Sequence, residues 1–179
     1  MAVVMRVDDE IRLNILDALL KKGSVGPNIR QIQKYTGYHK ATIKSSLDFL
    51  MKQGMLEGYG PKFNFKKLGQ NLEVVSIFKA DLSDKRAVRK ILEAIEKDPN
   101  IYRVSSIIGS GNWNMIAHYI YKDIESYHAG LNKKYYEPIP DMYKVLKDRQ
   151  IFYLTEPMYK NVSRTKSVIE IIRREKAMD

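Results

Sequence analysis

Apolar residues recur every three to four positions through the first third of this chain. After Gly69 they gather into short runs rich in Val, Ile and Phe, separated by one strongly amphipathic stretch. The first pattern predicts helices and the second predicts strands around a helix. Ile11, Ile15, Leu16, Leu19 and Leu20 mark a helix over about 8–22. Asp8, Asp9 and Glu10 suit the positive end of its dipole, Lys21 and Lys22 suit the other end, and Gly23 can take a left-handed cap. Asn28 reads as the N-cap of a second helix, with Gln31 placed as in a capping box. Ile29 and Ile32 give that helix an apolar face, and Gly37 supplies a turn. Ile43, Leu47 and Leu50 then share one face of a third helix over about 39–53, which Gly54 ends. Two helices joined by a glycine turn are the layout of a helix-turn-helix, whose second helix docks in the DNA major groove. Residues 55–69, with Gly58, Gly60 and Pro61 between short flanks, predict a hairpin wing.

Beyond Gly69 the pattern predicts a strand over 73–82 and a helix over about 84–97, carried by Val88, Ile91, Leu92 and Ile95. A second strand follows at 101–108, then a glycine-rich turn at 109–114 and a third strand at 115–121. A helix over 123–135, weakened by Gly130, leads through Pro138 and Pro140 to a bulged fourth strand at 142–154. The order β-α-β-β-α-β is that of a ferredoxin-like sandwich, one antiparallel sheet with helices on one face. The other face needs a cover, so a two-fold dimer through the sheet is expected. The fold class is α+β, with a winged helix-turn-helix domain at 1–70 and a ferredoxin-like domain at 71–160. A basic extension at 161–179 carries Val168, Ile169, Ile171 and Ile172 with Arg173, Arg174 and Lys176 behind them. That pattern suits an extra helix docked on a partner or supporting DNA binding.

Net charge sharpens this picture. The chain of 179 residues has 31 Lys and Arg against 21 Asp and Glu, and residues 1–70 alone hold 12 against 6. The basic excess is concentrated where a phosphate-binding face would need it. Arg30, Lys40, Lys44 and Lys62 are the candidates for phosphate neutralisation. His39, Lys40, Thr42 and Ser45, at the start of the third helix, are the candidates for base edges. There is no cysteine, which excludes disulfides and thiolate chemistry and fits a cytoplasmic protein. The sequence shows no secretory signal and no apolar run long enough to cross a bilayer. His39, His118 and His128 lack any metal-ligand spacing, so no metal or cofactor is expected. Twelve tyrosines raise the alternative of base stacking on single strands. Tyr119, Tyr121, Tyr135, Tyr136, Tyr143 and Tyr153, however, fall where amphipathic rings pack.

Four phrases carry a family resemblance. They are the Asp9, Arg12, Ile15 and Leu16 pattern, TIKSSLDFLMKQGML at 42–56, FKKLG at 65–69 and GNWNM at 111–115. Together, over about 8–160, they resemble the Lrp/AsnC, or feast/famine, transcription regulators. The resemblance implies a regulator that binds double-stranded DNA as a dimer, tetramer or octamer. It also implies a small-molecule effector, commonly an amino acid, bordered by Gly111, Asn112, Trp113 and Asn114. Asn114 stands where the family usually has Asp, and Ser46 where many members have Arg. No enzyme activity is expected. One alternative is an AsnC-like sirohaem decarboxylase, which WNMIAH at 113–118 loosely resembles. The other is an interaction module that has lost DNA binding.

Overall fold

The computed structural model describes residues 9–154 and 164–175. The expected helix start at residue 8, and the extension residues 161–163 and 176–179, lie outside the described residues. The chain divides into two compact units, Met1–Gly69 and Gln70–Asp179.

The first unit holds three helices: α1 (Glu10–Leu20), α2 (Ile29–Thr36) and α3 (Lys40–Lys52). Asp9 caps α1, its carboxylate accepting the Arg12 N–H and pairing with the Arg12 guanidinium at 2.5 Å. Asn28 caps α2 by accepting the Gln31 N–H at 3.1 Å. Gly37 closes α2 in the left-handed region at φ 74°, where a side chain would be strained. α2 packs on α3, and Ile43 is the buried centre of the unit. Ile11, Ile15 and Leu20 of α1 are exposed even though they keep helical spacing, as are Phe49, Met51 and Met55. Helical spacing here does not mark a core within this unit.

The expected hairpin wing is not formed. Residues 55–64 contain no strand, and the segment ends in a 3-10 turn over Phe65–Leu68. Pro61 has no N–H for a ladder, and Gly58 and Gly60 have no side chains to pair across one.

The second unit contains β1 (Leu72–Ala80), α4 (Lys85–Lys97), β2 (Ile101–Ser106), β3 (Met115–Tyr121), α5 (Ile124–Leu131), a π-type turn (Asn132–Tyr136), α6 (Met142–Val145) and β4 (Leu146–Leu154). The strand order is β2-β3-β1-β4, and every pairing is antiparallel. Alternation along β1 puts Val74, Ser76, Phe78 and Ala80 under the helices and leaves Val75 and Ile77 on the outer face. The core joins Val74 and Phe78 to Ala87 and Ile91 of α4, Tyr119 and Tyr121 of β3, and Tyr127 of α5. Tyr127 meets Tyr119 and Tyr121 edge-to-face at 5.5 Å, and its hydroxyl shares a buried hydrogen bond with Ser76. Of the tyrosines expected to pack, Tyr119, Tyr121 and Tyr135 are buried, whereas Tyr136, Tyr143 and Tyr153 are exposed.

β1 and β2 each end two residues earlier than expected, and two further stretches change element. Residues 142–145 form the short helix α6 rather than the start of the last strand. The bulge lies at its entrance, where Lys79 pairs with Asp148 and Ala80 with Leu146. The expected helix over 123–135 changes to the π-type turn after Leu131. That turn brings Lys134 to Asp98 at 2.5 Å and the Tyr135 hydroxyl to the same carboxylate at 3.0 Å. A buried charge is tolerable when its lone pairs are filled in this way. The extension forms α7 (Arg164–Glu175), with Val168, Ile169, Ile171 and Ile172 exposed. No described helix is long and apolar enough to cross a membrane.

Candidate nucleic-acid interface and effector turn

The turn at Gly37 delivers the chain into α3 through His39, whose backbone is extended and whose ring makes no cap hydrogen bond. His39, Lys40, Thr42, Lys44 and Ser45 are all exposed on the first turns of α3, while Ile43 points inward. The helix thus separates one apolar row from a polar face with two cations four residues apart. The Ser45 hydroxyl donates to the Thr42 carbonyl at 3.1 Å, so it turns back on its own helix in the free protein. Arg30, on the first turn of α2, and Lys62, between Pro61 and the 3-10 turn, are exposed as well. Ser46 is exposed on the same stretch.

In the second unit, the turn between β2 and β3 is built by two consecutive left-handed residues, Gly111 at φ 73° and Asn112 at φ 61°. A Cβ on Gly111 would touch the Trp113 ring at 3.4 Å. Trp113 lies under the Lys79 ammonium, 4.6 Å from the ring centroid, and Lys79 also pairs with Asp148 at 3.2 Å. Asn114 is committed elsewhere. Its side-chain oxygen accepts the Ala80 N–H at 2.8 Å and its amide nitrogen donates to the Ala80 carbonyl at 2.7 Å. Its backbone N–H donates to Phe78, and its carbonyl accepts from Ile107. Asn114 therefore acts as one more strand residue, pinning the turn to the end of β1. Gly111 and Asn112 are exposed and Trp113 is half-buried, whereas the Asn114 side chain has no free polar atom to offer a ligand.

Sequence reading passed over one cluster. On the outer sheet face His118 stands across from Val75 and Arg103, its ring 5.7 Å from Tyr102, whose hydroxyl donates to Glu73. Only strand register reveals that these residues share a face.

No family model matches the sequence. Comparison of folds is decisive. A Neisseria meningitidis transcriptional regulator, solved with L-methionine, superposes with a TM-score of 0.61 at 12% identity, over 89% of this chain and 98% of that one. An AsnC family transcriptional regulator from Agrobacterium tumefaciens gives 0.58 at 12% identity, over 87% and 95%. The chain has the AsnC/Lrp fold. Among sequence relatives, an uncharacterised HTH-type transcriptional regulator from Pyrococcus horikoshii is 24% identical over 60% of this chain and 69% of its own length. Its counterpart from Pyrococcus abyssi is 26% identical over the same shares. Within the AsnC/Lrp fold, this chain carries paired cations on the exposed face of α3 and a Trp–Lys contact at the β2–β3 turn.

Proposed function

We propose that this chain is a member of the Lrp/AsnC family, a sequence-specific transcription regulator that binds double-stranded DNA in the cytoplasm. The observation that carries this reading is the exposed polar face of α3, set behind a left-handed glycine turn and carrying Lys40 and Lys44. The N-terminal unit, residues 1–70, would be the DNA-binding domain, and 71–160 the dimerisation and effector domain. Lys40, Lys44, Lys62 and Arg30 neutralise phosphates, and His39, Lys40, Thr42 and Ser45 approach base edges. Ser45 can accept from a base as it stands, and to donate to one it must release the Thr42 carbonyl.

The protein works as a dimer or a higher assembly. Val75, Ile77, Ile116 and Ile120, with the exposed Phe152 and Leu154, form an apolar outer sheet face that a second copy would cover. The exposed apolar residues of α1 and α3 call for a cover as well. A small-molecule effector would meet Trp113 and the backbone of Gly111 and Asn112. Asn114 would hold that turn in place rather than touch the effector.

Selection of bound duplexes from a random pool, with and without free amino acids, tests the reading. An enriched motif is expected, recovered as two half-sites about one helical turn, roughly 10 bp, or a multiple apart. A pool that stays random refutes specific readout.

A further inference from the structure

The pocket between the sheet and its helices contains a cation with no counter-anion. Arg149 of β4 pairs with the buried Phe78 of β1, so it stands on the helix-covered face. Its guanidinium lies 5.6 Å from the centroid of the Tyr136 ring and is half-buried. Among the described residues it has no ion-pair partner, because the nearby acids are occupied. Asp148, the preceding residue, pairs with Lys79 on the other face, and Asp98 is held by Lys134 and Tyr135. Tyr119 lines the same pocket and is 4% exposed. Burial raises the Tyr119 phenol well above its ordinary value, and the charge on Arg149 opposes that rise. The phenol and the cation therefore lie within reach of each other's field.

The remaining wall is apolar, with Ile91 from α4, Leu131 from α5, Met142 from α6, and Met115. The centre of a water-sized group has about 30 Å³ to move in, within about 440 Å³ of atom-free space that includes open solvent. The inner space takes one water-sized group as it stands. Methionine side chains repack easily, so Met115 and Met142 can enlarge it. A partly desolvated guanidinium without an anion is costly, and a carboxylate is its best-matched partner. No Asp or Glu lines the pocket, so an ammonium group would find no counter-charge there and would be repelled by Arg149.

We propose that this pocket binds a small organic acid that carries no amine. Its carboxylate sits against Arg149 and the Tyr119 hydroxyl, and its short apolar chain points toward Leu131 and Met142. The site is separate from the β2–β3 turn and stands whether or not the chain reads DNA.

A methyl NMR titration of the full chain tests this, using butyrate and benzoate against leucine and butylamine, each to about 10 mM, ten times a millimolar Kd. The Leu131 and Met142 methyls are expected to shift saturably with the two acids and to stay still with the two amines. Arg149→Gln should weaken acid binding at least tenfold, and Tyr119→Phe by a smaller factor. Tyr119→Phe keeps the ring that fills the core, so it tests the site even if Arg149→Gln fails to fold. Three results would each overturn the proposal: no methyl shift with either acid, equal affinity in wild type and both variants, or equal binding of leucine.

Discussion

Asn114 occupies both polar groups of Ala80, because a carboxamide carries its acceptor and its donor side by side. The Asp usual in the Lrp/AsnC regulators that the sequence resembles would accept from the Ala80 N–H but face the Ala80 carbonyl with a second oxygen. Asn114→Asp is therefore expected to cost about 1–3 kcal/mol at neutral pH. The introduced carboxyl would have its pKa raised by that carbonyl, so its protonated form is favoured in the fold. The deficit should then shrink as pH falls, because a protonated carboxyl can donate again. Urea denaturation at two pH values reads the effect directly, and a pH-independent deficit would contradict the clip. Gly130 gives a second residue-scale outcome. A Cβ there would stand 2.7 Å from the Tyr121 hydroxyl and 2.8 Å from its ring. Glycine to alanine in a helix ordinarily gains about 1 kcal/mol. Gly130→Ala should instead destabilise by about 1–3 kcal/mol, because the buried Tyr121 cannot move aside without disturbing the core. The sequence shows that both residues are unusual, the first beside the family pattern and the second inside a helical one. It could not show that each touches a residue far away in the chain.

At the scale of elements, helical periods and caps were legible because they depend on neighbours a few positions apart. Asn28 and Gly37 bracket α2 as the sequence predicts. The wing failed because glycine and proline signal a turn without ensuring strands on either side of it. The last strand was overextended because an apolar run reads equally well as a buried helical turn, which 142–145 turns out to be. Two outcomes belong here. Removing both cations from α3, by Lys40→Ala with Lys44→Ala, should weaken duplex binding and lower the slope of log K against log salt by about 2, one for each lost phosphate contact. An unchanged slope would place the DNA-binding face elsewhere. Asp123 caps α5, accepting the Ser126 N–H at 2.7 Å, and its own N–H donates to the Ser126 hydroxyl. Hydrogen bonding from the Ser126 N–H, and then from its side chain, holds the Asp123 carboxyl below the ordinary range. A depressed carboxyl stabilises the fold above its unfolded value and loses that contribution as pH falls through the folded one. The loss thus lies below about pH 4. Asp123→Asn still caps but does not titrate, so its melting temperature should fall less than that of wild type between pH 6 and pH 3, as circular dichroism would report.

For the whole molecule, the outer sheet face dominates. A charge at its centre, as in Ile77→Lys, should shift the protein toward monomer in light scattering and leave the helix-side core intact, since Ile77 points away from it. A dimer that survives this change would be built on another surface. The β-α-β-β-α-β order, the helix-turn-helix and the basic N-terminal third were set by the sequence alone, because period, cap and charge are local or additive properties. The tertiary structure decided which chemistry is available. It tied Asn114 to Ala80, gathered Tyr102, Arg103 and His118 on one face, and left Arg149 in an apolar pocket without an anion. Those outcomes depend on strand register and on side chains that meet across tens of residues, and no spacing along the chain encodes them.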